Sequence, residues 1–63
     1  MNAERQLHMF IISNRTPDVD LDKVISKAEE LIKKAEFFKN YLAASMYIEA
    51  INKLEQLKTK DKQ

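Results

Sequence analysis

Apolar side chains recur at alternating spacings of three and four residues from residue 21 onward. These spacings place side chains on one face of an α-helix, which predicts helices that pack along an apolar seam. Two separate stripes follow this rule. The first stripe comprises positions 21, 24, 28, 31, 35, 38 and 42, and the second comprises positions 43, 47, 50, 54 and 57.

The two stripes are out of phase. At about 100° per residue, the second stripe is rotated by roughly a quarter turn or more from the first. A single straight helix over residues 21–58 would be about 57 Å long and would face two partners. A break near Asn40 folds the halves into a hairpin, since asparagine tolerates the left-handed conformation at a helix end. We favour the hairpin. The alternative is one slightly bent helix whose two seams are covered by a symmetric partner, and the lack of glycine or proline at the break supports this alternative.

The segment 37–51 is apolar on nearly every side when it is read as a helix, and Lys39 and Glu49 are its two charged residues. Such a helix is buried, and a chain of 63 residues has little else to bury it with, which predicts a second subunit. Its aromatic residues fit either a core where helices cross or a patch that binds a different protein. The predicted core and interface residues are Phe10, Phe37, Phe38, Tyr41, Leu42, Met46, Tyr47, Ile48 and Ile51.

The N-terminal part of the chain predicts a shorter helix. An apolar face begins at Leu7 and continues three and four residues later, which predicts a helix at about residues 4–12. Pro17 disfavours helical geometry at the residue before it and marks the clearest boundary in the chain. Asp20 is the predicted N-cap of the next helix, because its carboxylate can accept a hydrogen bond from a first-turn amide.

These elements predict an all-α fold. A short N-terminal helix is followed by a two-helix hairpin that breaks near Asn40, and the chain assembles as a helical homodimer. The charged C-terminal residues lack an apolar anchor, so we expect a flexible tail there. The predicted boundaries are a single domain over 1–57, helices at about 4–12, 21–39 and 41–57, and a tail over 58–63.

Composition argues against catalysis. The chain has no cysteine and one histidine, which excludes disulfides, thiolate zinc sites and a histidine-rich metal site within one chain. Without glycine, a phosphate-binding loop or a dinucleotide fingerprint is also excluded. Asp18, Asp20 and Asp22 have the spacing of a calcium loop but lack its glycine and its closing glutamate. We therefore expect a non-enzyme with no cofactor and no metal.

Charge and hydropathy set the predicted location and partners. Charged residues make up 33% of the chain but nearly cancel to a net charge of +1, so composition neither demands nor excludes nucleic acid. The apolar run at residues 9–12 is too short for a signal sequence or a membrane span. We expect a cytoplasmic protein with no membrane partner.

Part of the sequence resembles known helix pairs. The run Ala-Glu-Glu-Leu-Ile-Lys-Lys-Ala at 28–35, then Asn40-Tyr41, then the segment 47–51, is similar to tetratricopeptide and microtubule-interacting-and-trafficking hairpins. The glycine usual between tetratricopeptide helices is absent, so the resemblance implies a helix pair and no ligand. In size and in its lack of glycine and cysteine, the chain also resembles small accessory early proteins of temperate lambdoid phages. That resemblance implies a regulator of host or phage proteins in the bacterial cytoplasm.

The sequence therefore predicts a small helical regulator or adaptor that acts through protein–protein interaction as a homodimer, with its other partner unidentified. The alternative is a DNA-binding transcriptional regulator in which a symmetric dimer presents a helix to the major groove. Asp18, Asp20 and Asp22 lie around the start of the second helix and would repel a DNA backbone there. The candidate phosphate contacts are Arg5, Arg15, Lys23, Lys27, Lys33, Lys34 and the lysines of the tail.

Overall fold

Three α-helices make up most of the fold. A computed structural model describes the backbone of residues 2–61 and the side chains of residues 2–59. The all-α prediction is confirmed, as is a short N-terminal helix followed by two longer helices that pack together. The helices are α1, Ala3–Ser13; α2, Leu21–Phe37; and α3, Tyr41–Asp61.

Helices α2 and α3 form the predicted hairpin. Residues 38–40 connect them, so the chain reverses direction within three residues and the two helices pack side by side. The alternative of one slightly bent helix is therefore wrong. We name the end with the connection the tip, and the opposite end, where α2 begins, the base. An ion pair between Lys58 and Asp22 joins α3 to α2 at the base.

The connection at the tip corrects the predicted role of Asn40. Lys39 adopts the left-handed conformation, with φ of 58°. The amide of Asn40 donates to the carbonyl of Ala35 at 2.7 Å, and the amide of Lys39 donates to the carbonyl of Glu36 at 3.0 Å. These two hydrogen bonds are those of a Schellman motif. The side chain of Asn40 accepts a hydrogen bond from the amide of Ala43 at 3.3 Å. Asn40 therefore caps the start of α3 instead of ending α2.

The other helix ends also use local hydrogen bonds. Asp20 caps α2 as predicted, because its carboxylate accepts a hydrogen bond from the amide of Asp22 at 3.0 Å. Asn2 caps α1 in the same way, at 2.9 Å from a first-turn amide. Helix α1 ends at Ser13 and is capped by Asn14, which is left-handed and donates its amide to the carbonyl of Phe10 at 2.8 Å. Both ends of α1, both ends of α2 and the start of α3 are thus capped without glycine.

Helix α3 is longer than predicted. It continues past residue 57 to Asp61, so most of the predicted flexible tail is helical. Within the added turns, Lys58 forms an ion pair with Asp22 of α2. The hydrogen bond to Asp22 raises the pKa of Lys58 above its usual value. The last two predicted tail residues, 62 and 63, lie outside the described residues.

The core lies in the base half of the hairpin, beneath α1. Leu7 from α1, Val24 from α2 and Leu54 from α3 are fully enclosed. Small side chains let helices approach closely and leave little apolar volume to bury. Among the side chains that the structure describes, four of the eight buried apolar residues are alanines: Ala28, Ala35, Ala44 and Ala50.

Helix α1 crosses the hairpin between its base and its tip. It reaches α2 where Glu4 lies 3.7 Å from Lys27. It reaches α3 where Nε2 of His8 lies 3.2 Å from the hydroxyl of Tyr47. With 11 residues against the 21 of α3, α1 is about half as long as the helix it covers. Helix α1 thus reaches along α3 as far as Met46 and Tyr47, and the large apolar residues of 37–42 stay exposed.

Candidate interaction surface at the hairpin tip

Four large apolar side chains surround the tip and are mostly exposed. Phe37 ends α2, Phe38 follows it, and Tyr41 and Leu42 begin α3. Phe37 is 79% exposed and Leu42 is 77% exposed, while Phe38 and Tyr41 each keep about two thirds of their surface in water. We name these four residues the tip patch.

The tip patch is carried by an ordered backbone. The rings of Phe37 and Phe38 meet edge to face, with centroids 5.2 Å apart and planes at 89°. This is a favoured arrangement of two aromatic rings. The Schellman motif and the Asn40 cap fix the backbone between the two helices. A preformed surface of this kind loses less conformational freedom when it binds a partner.

Helical spacing divides the exposed apolar residues of α3 between two sides of the hairpin. Leu42 and Met46 are one turn apart, and Met46 lines a notch beside α1 together with Phe10. Tyr41 and Ile48 are two turns apart on the opposite side of α3. Met46 and Ile48 are each 47% exposed. We refer to these as the α1 side and the back side of the hairpin.

The predicted core and interface residues separate into two groups. Phe10 is 5% exposed and belongs to the core, and Tyr47 and Ile51 are partly buried against it. The others stand on the surface of this single chain and are brought together around or near the tip. This exposed group is Phe37, Phe38, Tyr41, Leu42, Met46 and Ile48.

The tip corrects the extent of the first apolar stripe. The stripe predicts that Phe38 and Leu42 continue the seam beyond Ala35, but both are exposed. Helix α2 ends at Phe37, so its helical phase no longer places Phe38 on the seam. Leu42 belongs to α3, whose phase starts afresh after the turn. The seam of α2 therefore ends at Ala35.

Two features were missed by the sequence reasoning. Ile12 is 79% exposed on the outer face of α1, and it lies off the helical face that begins at Leu7. The sequence alone could therefore have identified Ile12 as an exposed position. Gln6 is buried, and its side-chain oxygen accepts a hydrogen bond from the amide of Asp18 at 3.2 Å. No pattern of apolar residues identifies such a polar contact.

The described residues offer little that could support chemistry. The side chains of residues 2–59 include no group of three His, Cys, Asp or Glu positioned to hold a metal ion. His8 is engaged with Tyr47 and holds α1 against α3. In the same range of residues, none of the helices combines the length and the apolarity needed to cross a bilayer.

Comparisons with protein-family models, with curated proteins and with solved structures found no match. Function is therefore inferred from the tip patch and its surroundings. In the patch, four large apolar side chains that a folded chain would normally bury are mostly exposed to solvent.

Proposed function

We propose that this protein is a small non-enzymatic helical regulator or adaptor that acts by binding another protein, and that it works as a homodimer. The observation that supports this proposal is the tip patch, where four large apolar side chains are mostly exposed. Clusters of exposed apolar residues with a polar surround are typical of protein-binding surfaces. Aromatic residues also supply much of the binding energy at such surfaces.

The sizes of the buried and exposed side chains support the same function. Half of the buried apolar residues in the described part of the chain are alanines, whereas two phenylalanines, a tyrosine and a leucine stand in water at the tip. Removing apolar surface from water contributes roughly 25 cal/mol per Å². Since the chain does not cover these side chains itself, a partner that covers them gains this contribution.

Charged residues surround the tip patch with both signs. Glu36 precedes Phe37, Lys39 lies within the connection, and both are exposed. Polar rims around an apolar centre are common in protein interfaces, where they select the partner more than they strengthen binding. A mixed rim favours a protein partner over a uniformly charged polymer.

DNA binding has weaker support. Lys27, one of the candidate phosphate contacts, lies 3.7 Å from Glu4 and 3.8 Å from Glu30. The tail lysine Lys58 pairs with Asp22. A lysine paired with a carboxylate of its own chain offers less net positive charge to a phosphate backbone, so fewer counterions leave the DNA when it binds. In a gel shift at low salt, we expect no retardation of duplex DNA, and retardation there would favour the DNA-binding alternative.

Protein binding is tested by affinity capture from a lysate of the source cells. The immobilised baits are the wild type, Tyr41→Asp on the back side of the tip, and Ile12→Asp as the matched control. Ile12 is also apolar and 79% exposed, but it lies on α1 away from the tip. We expect a partner that the wild type and the control retain, and whose retention by Tyr41→Asp falls about tenfold or more.

Two results would contradict this proposal. One is that the wild type retains no protein above the level of an unrelated bait. The other is that Tyr41→Asp and Ile12→Asp retain the same proteins in the same amounts, because binding would then not depend on the tip patch. Circular dichroism of each bait confirms that the helices are intact before capture.

A further inference from the structure

Three exposed lysines lie close to the tip patch. Lys33 lies one helical turn before Phe37 on α2. The carbonyl of Lys34 accepts a hydrogen bond from the amide of Phe38 at 3.2 Å, which places Lys34 one turn before that residue. Lys39 lies within the connection between α2 and α3. We name Lys33, Lys34 and Lys39 the tip lysines.

The tip lysines form no ion pair with any described side chain of their own chain. The lysines that do form ion pairs in the described part of the chain lie elsewhere: Lys27, Lys53 and Lys58. From residue 33 to residue 48, the three lysines are opposed by a single acidic residue, Glu36. This part therefore carries a charge of +2 while the whole chain carries +1, so the remainder of the chain is net negative. Positive charge is thus concentrated around the tip patch.

The tip patch also has apolar side chains on two sides of the hairpin. Leu42 lies on the α1 side with Met46, and Tyr41 lies on the back side with Ile48. A flat partner surface would cover one of these sides and leave the other in water. A cleft that encloses the end of the hairpin covers both.

We infer that the partner of the tip patch is a protein with an apolar cleft and an acidic rim, and that the end of the hairpin inserts into this cleft. This inference rests on the proposed function, since it states the chemistry of the partner. The walls of the cleft cover the tip patch, and carboxylates of its rim pair with the tip lysines. Burial of apolar surface supplies affinity, and the opposite charges accelerate association and select the partner.

An anionic bilayer would also offer negative charge and an apolar interior, but two features of the tip favour a protein cleft. Glu36 directly precedes Phe37 and is exposed, so anionic headgroups would repel it. Lys39 and Asn40 lie between the two helices at the very end of the hairpin, so they would enter the bilayer first. A charge and a carboxamide are costly in hydrocarbon. A protein cleft can place polar partners opposite both.

Charge reversal tests the acidic rim. The protein that the wild-type bait retains is eluted, and its association with each variant is measured by surface plasmon resonance at low salt, where exposed charges are least screened. Lys34→Glu and Lys39→Glu are each expected to slow association by about threefold to tenfold, and Glu36→Lys is expected to accelerate it by a similar factor.

Lys23→Glu is the matched control for charge. Lys23 is also exposed and forms no ion pair with a described side chain, but it lies about 21 Å before Phe37 along α2. Its reversal is expected to change the association rate by less than about twofold, because charges beyond a Debye length are largely screened. Circular dichroism confirms the helix content of each variant before the measurement.

Aspartate substitutions on the two sides of the tip test the cleft. Tyr41→Asp on the back side and Leu42→Asp on the α1 side are each expected to raise the Kd for the eluted protein by about tenfold or more. Ile12→Asp is the control and should leave the Kd unchanged. Leu42 and Ile12 are similarly exposed, at 77% and 79%, so the same substitution is compared inside and outside the tip patch.

Sedimentation with mixed phosphatidylcholine and phosphatidylserine vesicles tests the bilayer. The wild type is expected to remain in the supernatant. Cosedimentation that Leu42→Asp abolishes and Ile12→Asp retains would assign the tip to a membrane surface and overturn the inference.

The remaining outcomes separate the inference from the proposed function. Association rates that change in the same direction, or not at all, for Lys39→Glu and Glu36→Lys overturn the acidic rim. Loss of binding in only one of Tyr41→Asp and Leu42→Asp overturns the cleft. In both cases, a retained protein that depends on the tip patch still supports the proposed function. A wild-type bait that retains no protein contradicts the proposed function and the inference together.

Discussion

The base and the tip of the hairpin differ in how many helices meet there. At the base, three helices enclose Leu7, Val24 and Leu54 completely. At the tip, only α2 and α3 are present, and larger side chains such as Phe37 stand in water. Two helices can bury the seam between them but not the residues on their flanks. The position of α1 therefore decides where the core ends and where a binding surface begins.

The two ends also differ in what holds them in place. The base is held by apolar packing and by the ion pair between Lys58 and Asp22. The backbone at the tip is held by hydrogen bonds from Lys39, Asn40 and Ala43. Stability should thus depend on side chains at the base and on backbone conformation at the tip.

The largest expected effect comes from removing the same side chain at each end. Phe10→Ala at the base should lower the free energy of unfolding by about 3–5 kcal/mol, because Phe10 is 5% exposed and its loss leaves a cavity. Phe37→Ala at the tip should change it by at most about 0.5 kcal/mol, as for other exposed positions. Urea unfolding, followed by circular dichroism at submicromolar chain concentration, measures both values in the monomer.

Phe10→Ala is expected to be partly or wholly unfolded in water, because the loss in free energy of unfolding approaches the whole stability of a small domain. That outcome agrees with the prediction as long as Phe37→Ala stays folded. Equal losses for the two variants would contradict the distinction between base and tip. The contacts of Phe37 would then contribute to the folded chain itself.

Much of the base could be predicted from the sequence. The spacing of apolar residues identifies the buried positions Val24, Ala28, Ala50 and Leu54, and Asp20 was identified as a cap. These features depend on local periodicity and on hydrogen bonds within one turn. Both are contained in short stretches of sequence.

The tip could be predicted only in part. The sequence identified Phe37, Phe38, Tyr41 and Leu42 as core or interface residues but could not choose between the two. Their exposure depends on the length and position of α1, which is a property of the whole fold. Periodicity along one helix does not contain that information.

A second prediction concerns the exchanged roles of Lys39 and Asn40. Lys39→Gly should stabilise the protein by about 1 kcal/mol, because glycine adopts the left-handed conformation without the cost that a Cβ atom adds. Asn40→Ala should destabilise it by about 0.5–2 kcal/mol through loss of the α3 cap. Thermal unfolding of both variants checks the two signs. If glycine stabilised the protein at position 40 and not at position 39, residue 40 and not Lys39 would be the left-handed residue.

The smallest expected effect is the pH dependence of the ion pair at the base. The hydrogen bond and the charge of Asp22 raise the pKa of Lys58 above its ordinary value of 10.5. A lysine with a raised pKa in the folded protein contributes stability that is fully present below pH 10.5 and is lost as pH rises through the folded pKa. The melting temperature of wild type should thus exceed that of Lys58→Met by a small, constant amount from neutral pH to about pH 10.

Above that range the difference should disappear, and salt should reduce it at neutral pH because the pair is exposed. Taking the difference between the two proteins removes every contribution to the melting temperature that both proteins share. A difference that survives deprotonation of Lys58 would have to come from its alkyl chain against the base of the hairpin. The base would then be held by packing alone. The two ends would differ completely, with side-chain packing at the base and backbone hydrogen bonds at the tip.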